Sequence, residues 1–383
     1  MSGLGTETAF EVLAKAQKLE AQGKNIIHLE IGEPDFETPE NIVRAGRKAL
    51  QDGFTSYNPS QGYGDLRDVV AKEISKSRGI EASGDNIVIT PGGKPIMFFV
   101  IMALIESGDE VLYPNPGFPI YESMIEFCGG TAVPMQLHGD KDFNINVEEV
   151  KKQITPNTKL MIINSPNNPC GSIIGEEELS ELAILAREND ILILSDEIYI
   201  RFLYEGVHRS IATFPGMMDR TIILDGFSKT YAMTGWRIGY GLFPEELVEP
   251  VSRLVTNSVS CTASFTQIAA AEALVGSQDN PSAMVEEFKK RRDIVVAGLN
   301  EIEGIECATP KGAFYAFPKV DGTGMSSSEF SNKLLEEAGV AVLAGESFGR
   351  YGSGYIRLSF ANSTENLQEA IFRIKQFVES NSS

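Results

Sequence analysis

From about residue 86 onward, short apolar runs alternate with longer segments whose apolar positions recur at helical spacing. Residues 86–89, 110–113, 159–163, 191–194, 220–224 and 237–240 are runs of strand length that are apolar nearly throughout. That pattern predicts strands covered on both faces, and hence a largely parallel sheet. Helical patterns over 95–106 and 176–189 are long enough to act as crossovers between parallel neighbours. This portion reads as a doubly wound α/β core.

The C-terminal third has a different character. Residues 282–299 form a long charged helical pattern, 313–317 and 354–360 read as strands, and 327–338 and 365–380 as helices. A smaller α+β domain is expected there. Its boundary falls near the polar stretch Gly276-Ser-Gln-Asp-Asn-Pro281, where Gly and Pro separate two helical patterns. The chain shows no internal repeat and no low-complexity tract.

Composition narrows the functional classes. The 383 residues carry 33 Lys and Arg against 53 Asp and Glu, a formal charge of -20, which repels a phosphate backbone, and residues 289–292 form the one four-residue basic block. No nucleic-acid partner is expected. No run of 18 apolar residues exists, and residues 1–23 are polar with scattered Leu and Val, so neither a membrane span nor a targeting segment is expected. Cys128, Cys170, Cys261 and Cys307 form no C-x-x-C clip, and only His28, His138 and His208 could join them around a metal. Idle thiols, no metal and a reducing intracellular compartment are the expectation.

Some motifs fail on context. Gly345-Glu-Ser-Phe-Gly349 has the spacing of a nucleophile elbow, but a loop leading into a strand follows it and the last histidine is His208. The nucleotide-binding and zinc-protease patterns are missing.

A group of other motifs sits where predicted strands end, which is where ligands bind in an open α/β sheet. Thr90-Pro-Gly-Gly93 precedes a helix, so the amides of Gly93 and Lys94 could meet an anion; an ordinary strand-to-helix turn reads the same way. Ser165-Pro-Asn-Asn-Pro-Cys-Gly171 is a loop stiffened by two prolines. Asp196, in Ser195-Asp-Glu-Ile-Tyr199, is either a helix N-cap or a carboxylate facing a cationic ring nitrogen. Asp225-Gly-Phe-Ser-Lys-Thr230 and Met233-Thr-Gly-Trp-Arg237 place Lys229 and Arg237 around a Gly-containing loop. Lys229 at a buried strand end is costly unless deprotonated or covalently engaged, whereas a solvated loop lysine needs no such account.

Together with Ile31-Gly-Glu-Pro-Asp-Phe36, Tyr57-Asn-Pro-Ser-Gln-Gly62 and Tyr355-Ile-Arg-Leu-Ser359, these motifs resemble the fold-type I, class I/II aminotransferases that use pyridoxal phosphate, over nearly the whole chain. The resemblance implies a large domain with a mostly parallel seven-stranded sheet (36–279), a small α+β domain (280–383), and an N-terminal segment (1–35) packed with the small domain. By the same resemblance, Lys229 holds the cofactor as a Schiff base and shuttles the proton. Asp196 keeps the pyridine nitrogen protonated, which makes the ring an electron sink. Asn168 and Tyr199 match the pair that binds the ring 3-oxygen, and Phe118 and Ile198 match the two residues flanking the ring.

For the phosphate, the resemblance implies Gly93, Lys94, Ser228 and Arg237, with Tyr57 reaching in from a neighbouring subunit of a homodimer. Arg357, assisted by Gly32 and Asn168, matches the group that grips the substrate α-carboxylate, for which a planar fork suits better than lysine. Two residues depart from the common pattern: Gly226 stands where some members have a phosphate-binding serine, and Cys170 replaces a threonine, with only a packing effect expected. The implied reaction is reversible transfer of an amino group between an L-amino acid and a 2-oxo acid in the cytoplasm. A lyase or racemase on the same residues is the alternative enzyme, and a binding module without turnover is a third reading, opposed by the joint presence of Lys229, Asp196, Tyr199 and Arg357. Phe36, Phe118 and Tyr121 suggest a partly aromatic pocket compatible with aspartate, aromatic or aliphatic donors. Arg253 is either a residue reaching a partner site or a helix-surface charge.

Overall fold

A computed structural model describes residues 5 and 7–381; residues 1–4, 6, 382 and 383, which belong to the expected terminal segments, lie outside the described residues. Seven strands form the main sheet: β1 (Ile87–Thr90), β2 (Glu110–Asn115), β3 (Thr131–His138), β4 (Thr158–Asn164), β5 (Leu192–Asp196), β6 (Thr221–Gly226) and β7 (Gly239–Leu242). Their spatial order is β1-β7-β6-β5-β4-β2-β3, and the two-residue strand Asn144–Ile145 extends the β3 edge. All pairings from β6 through β3 are parallel, while β7 runs antiparallel to both β6 and β1.

Alternate residues of these strands feed different cores, which is why the runs are apolar nearly throughout rather than at every second residue. In β1, Ile87 and Ile89 enter one buried cluster and Val88 another. In β4, Leu160 and Ile162 face one side, Met161 and Ile163 the other. The helix Lys94–Leu104 returns along the sheet with Ile96, Met97, Phe99, Val100 and Ile101 buried.

Two expectations about the sheet need correction. Strand β3 was not legible as an apolar run, because it carries Pro134 and its residues are only partly buried near the sheet edge. The run read over 237–240 begins two residues later: Arg237 itself adopts a left-handed backbone with φ 51°, and the strand proper is Gly239–Leu242.

In the C-terminal third, Tyr315–Ala316, Ile356–Ser359 and Leu343–Ala344 form a three-stranded antiparallel sheet with Ile356–Ser359 in the centre. The helices Asp279–Asn300 and Thr364–Asn381 pack beside it, and Ser327–Lys333 continues into a π-helical turn, Leu334–Ala338. Near the N-terminus, the helix Thr8–Glu20 leads to Ile27–His28, which pairs in parallel with Val340–Ala341. That pairing carries Ile31 and Gly32 to the C-terminal ends of the main strands.

Candidate active site

The ends of β1, β4, β5 and β6 open on a cavity of about 470 Å³. Gly32, Gly93, Lys94, Phe118, Asn168, Asp196, Ile198, Tyr199, Ser228, Lys229, Arg237 and Arg357, all singled out in the sequence, line it together. Tyr57 does not; it is 88% exposed. Phe36, expected in the pocket, instead packs edge-on against Phe288 with ring centroids 5.4 Å apart and under the Arg291 guanidinium, because residues beyond Gly32 turn into the C-terminal core. Arg253 pairs with Glu249 on an exposed helix face.

Asp196 ends β5 as a buried carboxylate. No helix follows it, so the N-cap reading falls; turns occupy the next residues. Its Oδ2 accepts the Tyr121 hydroxyl at 2.5 Å and its Oδ1 the Ile198 amide at 3.3 Å. Burial pushes its pKa up to about 6 against those two bonds, and the charges of Asp225 and Glu197 add to the rise.

Lys229 follows β6 on a turn whose residues double back toward β7. Its Nζ donates to the Gly32 carbonyl at 2.6 Å. Burial lowers its pKa to about 8; Arg357 and Lys94 push the same way, and Glu33 and Glu7 oppose them. A primary amine so placed reaches its nucleophilic form near neutral pH.

At one end of the cavity, the helix Lys94–Leu104 begins at Gly93 without a side-chain cap. Its free amides, the Ser228 hydroxyl and the Arg237 and Lys94 charges face the same space, the composition expected of an anion cradle. The cradle depends on bare backbone: a Cβ on Gly239 would stand 2.6 Å from both Gly92 C and Gly93 N. Gly226 is likewise close to Gly239, with a Cβ only 3.0 Å from its Cα.

At the other end, Arg357 on the central strand of the small sheet projects inward. Its Nη1 donates to Asn168 Oδ1 at 3.2 Å, its Nη2 donates to the Glu30 carbonyl, and the group lies over the rings of Tyr315 and Phe348, 4.6 and 4.9 Å from their centroids. Its buried Nε has no partner among the described residues. The Tyr199 and Tyr315 hydroxyls share a 2.8 Å hydrogen bond.

These features suit pyridoxal phosphate. An anion cradle, a low-pKa amine, a buried carboxylate awaiting a cation and an aromatic wall at Phe118 match the phosphate, aldehyde, ring nitrogen and ring face of that cofactor. The sequence reading missed Tyr315 and the acidic residues Glu7 and Glu33 at the cavity, and took Tyr121 only as an aromatic wall. Tyr315 stands in a segment read as a strand, and its alternation with Phe314 was the one available signal. Among the described residues no cluster of three or more His, Cys, Asp or Glu is placed to hold a metal, and no helix is long and apolar enough to cross a membrane.

The chain is similar to known proteins over nearly its whole length. The family model for aminotransferase class I and II matches residues 24–374. An aromatic-amino-acid aminotransferase of Thermococcus litoralis is 42% identical over 93% of this chain and 92% of its own, and an aspartate aminotransferase of Pyrococcus abyssi is 41% identical over 92% of each. The structure of a Thermus thermophilus aspartate aminotransferase with maleate is 36% identical, covers 98% of both chains and superposes with a TM-score of 0.93. The chain therefore belongs to the class I and II aminotransferases and is a pyridoxal-phosphate-dependent enzyme of that family.

Proposed function

We propose that this enzyme exchanges the amino group of an aspartate, aromatic or aliphatic L-amino acid with a 2-oxo acid in the cytoplasm, using Lys229, Asp196 and Arg357 as its principal groups. One observation carries the assignment: the buried Asp196 and Arg357 and the part-buried Lys229, drawn from three distant segments, line one cavity. When bound, pyridoxal phosphate supplies a carbonyl that forms a Schiff base with an amine and a ring that withdraws electrons from the substrate Cα.

Lys229 Nζ would hold the cofactor at rest and, once displaced by substrate, would accept the proton from the substrate Cα and pass it on. Its lowered pKa equips it as a base near neutral pH. Asp196 would hold the ring nitrogen in its protonated state. The Tyr121 hydrogen bond keeps the carboxylate aimed. Tyr199 and Asn168 would bind the ring 3-oxygen, and Phe118 and Ile198 would flank the ring. Gly93, Lys94, Ser228 and Arg237 would hold the phosphate.

Arg357, with Gly32 and Asn168 beside it, orients the substrate α-carboxylate; its unpartnered Nε and rigid aromatic bed favour a planar two-point contact. Tyr57 is assigned to the phosphate of a second copy in a homodimer, consistent with its exposure here. Residues 36–279 are read as the large domain, 280–383 as the small one, and 1–35 as a segment joined to the latter.

The test is to load the protein with pyridoxal phosphate and add single L-amino acids without any oxo acid. Stoichiometric loss of the cofactor absorption, with pyridoxamine phosphate and one oxo acid formed, is the expected outcome and ranks the donors. Catalytic release of ammonia, or of the D-enantiomer, with the absorption persisting would refute the proposal.

A further inference from the structure

Beneath the cavity lies a charge cluster that the reaction as proposed does not use. Arg78 ends the helix Gly64–Arg78, and its side chain is 1% exposed. Its Nε donates to Glu197 Oε2 at 2.9 Å and its Nη2 to Asp225 Oδ2. Glu197 directly follows Asp196. Asp225 lies next to Leu224, the residue that pairs with Asp196 across β5 and β6, and the Glu197 amide donates to the Leu224 carbonyl at 2.8 Å. A single guanidinium therefore ties the strand end bearing Asp196 to the strand end leading to Lys229.

Both carboxylates are otherwise well held. Asp225 accepts from Tyr240 OH at 3.0 Å and from the Gly226 amide at 2.6 Å. Glu197 accepts from Ser210 at 2.6 Å and Ser195 at 3.1 Å, with His208 Nε2 3.4 Å away. The fold thus has three buried carboxylates, Asp196, Glu197 and Asp225, crowded at two adjacent strand ends. Asp196 makes no bond to Arg78. Its own hydrogen-bond partners are Tyr121 and the Ile198 amide, with Tyr199 also facing it; Glu197 and Asp225 act on it only by like-charge repulsion. Tyr240, Tyr231 and His208 lie behind the cluster, and the Arg201–Glu73 ion pair acts on Tyr231 from beyond it.

Replacing a buried ion pair by an apolar filling of the same volume is often neutral for stability, so stability is weak grounds for the charge here. We propose that Arg78 is a positioning residue for the reaction, offsetting one of the two negative charges that Glu197 and Asp225 place beside Asp196 so that Asp196 stays ionised toward the cofactor ring nitrogen. This rests on the role given to Asp196 above. Arginine suits the task because it is permanently charged and can engage two carboxylates with separate arms.

The experiment compares wild type, Arg78→Met, Asp225→Asn and the double variant, each loaded with pyridoxal phosphate, by the pH midpoint of the visible absorption of the bound cofactor. Loss of the cation leaves uncompensated negative charge, so the midpoint of Arg78→Met rises by about one pH unit; Asp225→Asn lowers it by a similar amount. The double variant, which lacks the bridge but restores the local charge, returns close to wild type. If Arg78→Met does not fold, the downward shift of Asp225→Asn and its cancellation in the double variant still decide the matter. A midpoint that stays fixed in the folded variants, or a double variant that departs from wild type while Asp225→Asn does not, marks Arg78 as a purely mechanical clamp and overturns the proposal. Absence of any Lys229-dependent absorption in wild type would instead refute the reading of the site itself.

Discussion

The Tyr121 hydroxyl and Asp196 Oδ2 are 2.5 Å apart although 75 residues separate them in the chain. The bond joins the helix Ile120–Phe127 to the end of β5 and gives a buried carboxylate its shortest contact. Burial alone would leave that carboxyl neutral over much of the acidic range, and the donated proton works against this.

Tyr121→Phe removes the donor while keeping the ring. Hydrogen bonds to charged groups are worth about 1.5–3 kcal/mol, so affinity for pyridoxal phosphate should fall by about 10-fold or more. Titration of the cofactor-free protein measures it, and an unchanged dissociation constant would show that Asp196 is held without Tyr121.

Lys229→Ala should abolish covalent attachment of the cofactor and lower kcat by about 10³-fold, in the range given by loss of a positioned general base. The absorption spectrum and single-turnover rates report the two effects separately.

Arg357→Lys keeps the charge but loses the planar fork, and kcat/KM for amino acids should drop by about 10–100-fold, matching one lost charge-assisted pair. A fall confined to KM would mean that Arg357 grips substrate and transition state equally.

Stability of the cofactor-free protein should carry the signatures of two buried groups. Lys229 titrates near 8 when folded against 10.5 unperturbed, so its favourable contribution is complete above 10.5 and is lost as pH falls through 8. Lys229→Met should therefore stabilise the cofactor-free protein at pH 7 by about 1–3 kcal/mol, with the gain vanishing near pH 11. Asp196 has the opposite profile: its carboxyl, raised to about 6 from 3.8, favours the fold below 3.8 and loses that contribution as pH rises through 6. Asp196→Asn should be stabilising at pH 8 and close to neutral at pH 4. Denaturant melts at pH 7 and 11 for the lysine variant and at pH 8 and 4 for the aspartate variant check both signs.

Gly239→Ala would drive a methyl into Gly92 and Gly93. The start of the helix Lys94–Leu104 must then move, and binding of pyridoxal phosphate should weaken by more than binding of pyridoxal, which lacks the phosphate. Equal losses for the two would place the damage outside the cradle.

Much of the layout was legible from the chain alone. Runs such as 160–163 are apolar on every residue because both faces of β4 are covered, and Gly93, Asp196 and Lys229 could be named because each follows such a run. β3 escaped because a half-buried edge strand containing Pro134 lacks that signal. Composition and motif order settle what is local: which segments must be buried, which turns need glycine, which residue types are available for chemistry. Tertiary structure alone decided which of them meet. The Tyr121–Asp196 bond, the Arg78 bridge between Glu197 and Asp225, the stacking of Arg357 on Tyr315 and the departure of Phe36 into the C-terminal core all join segments far apart in sequence. Burial, and with it the displaced pKa values of Asp196 and Lys229, arises only once those segments exclude water from the same space.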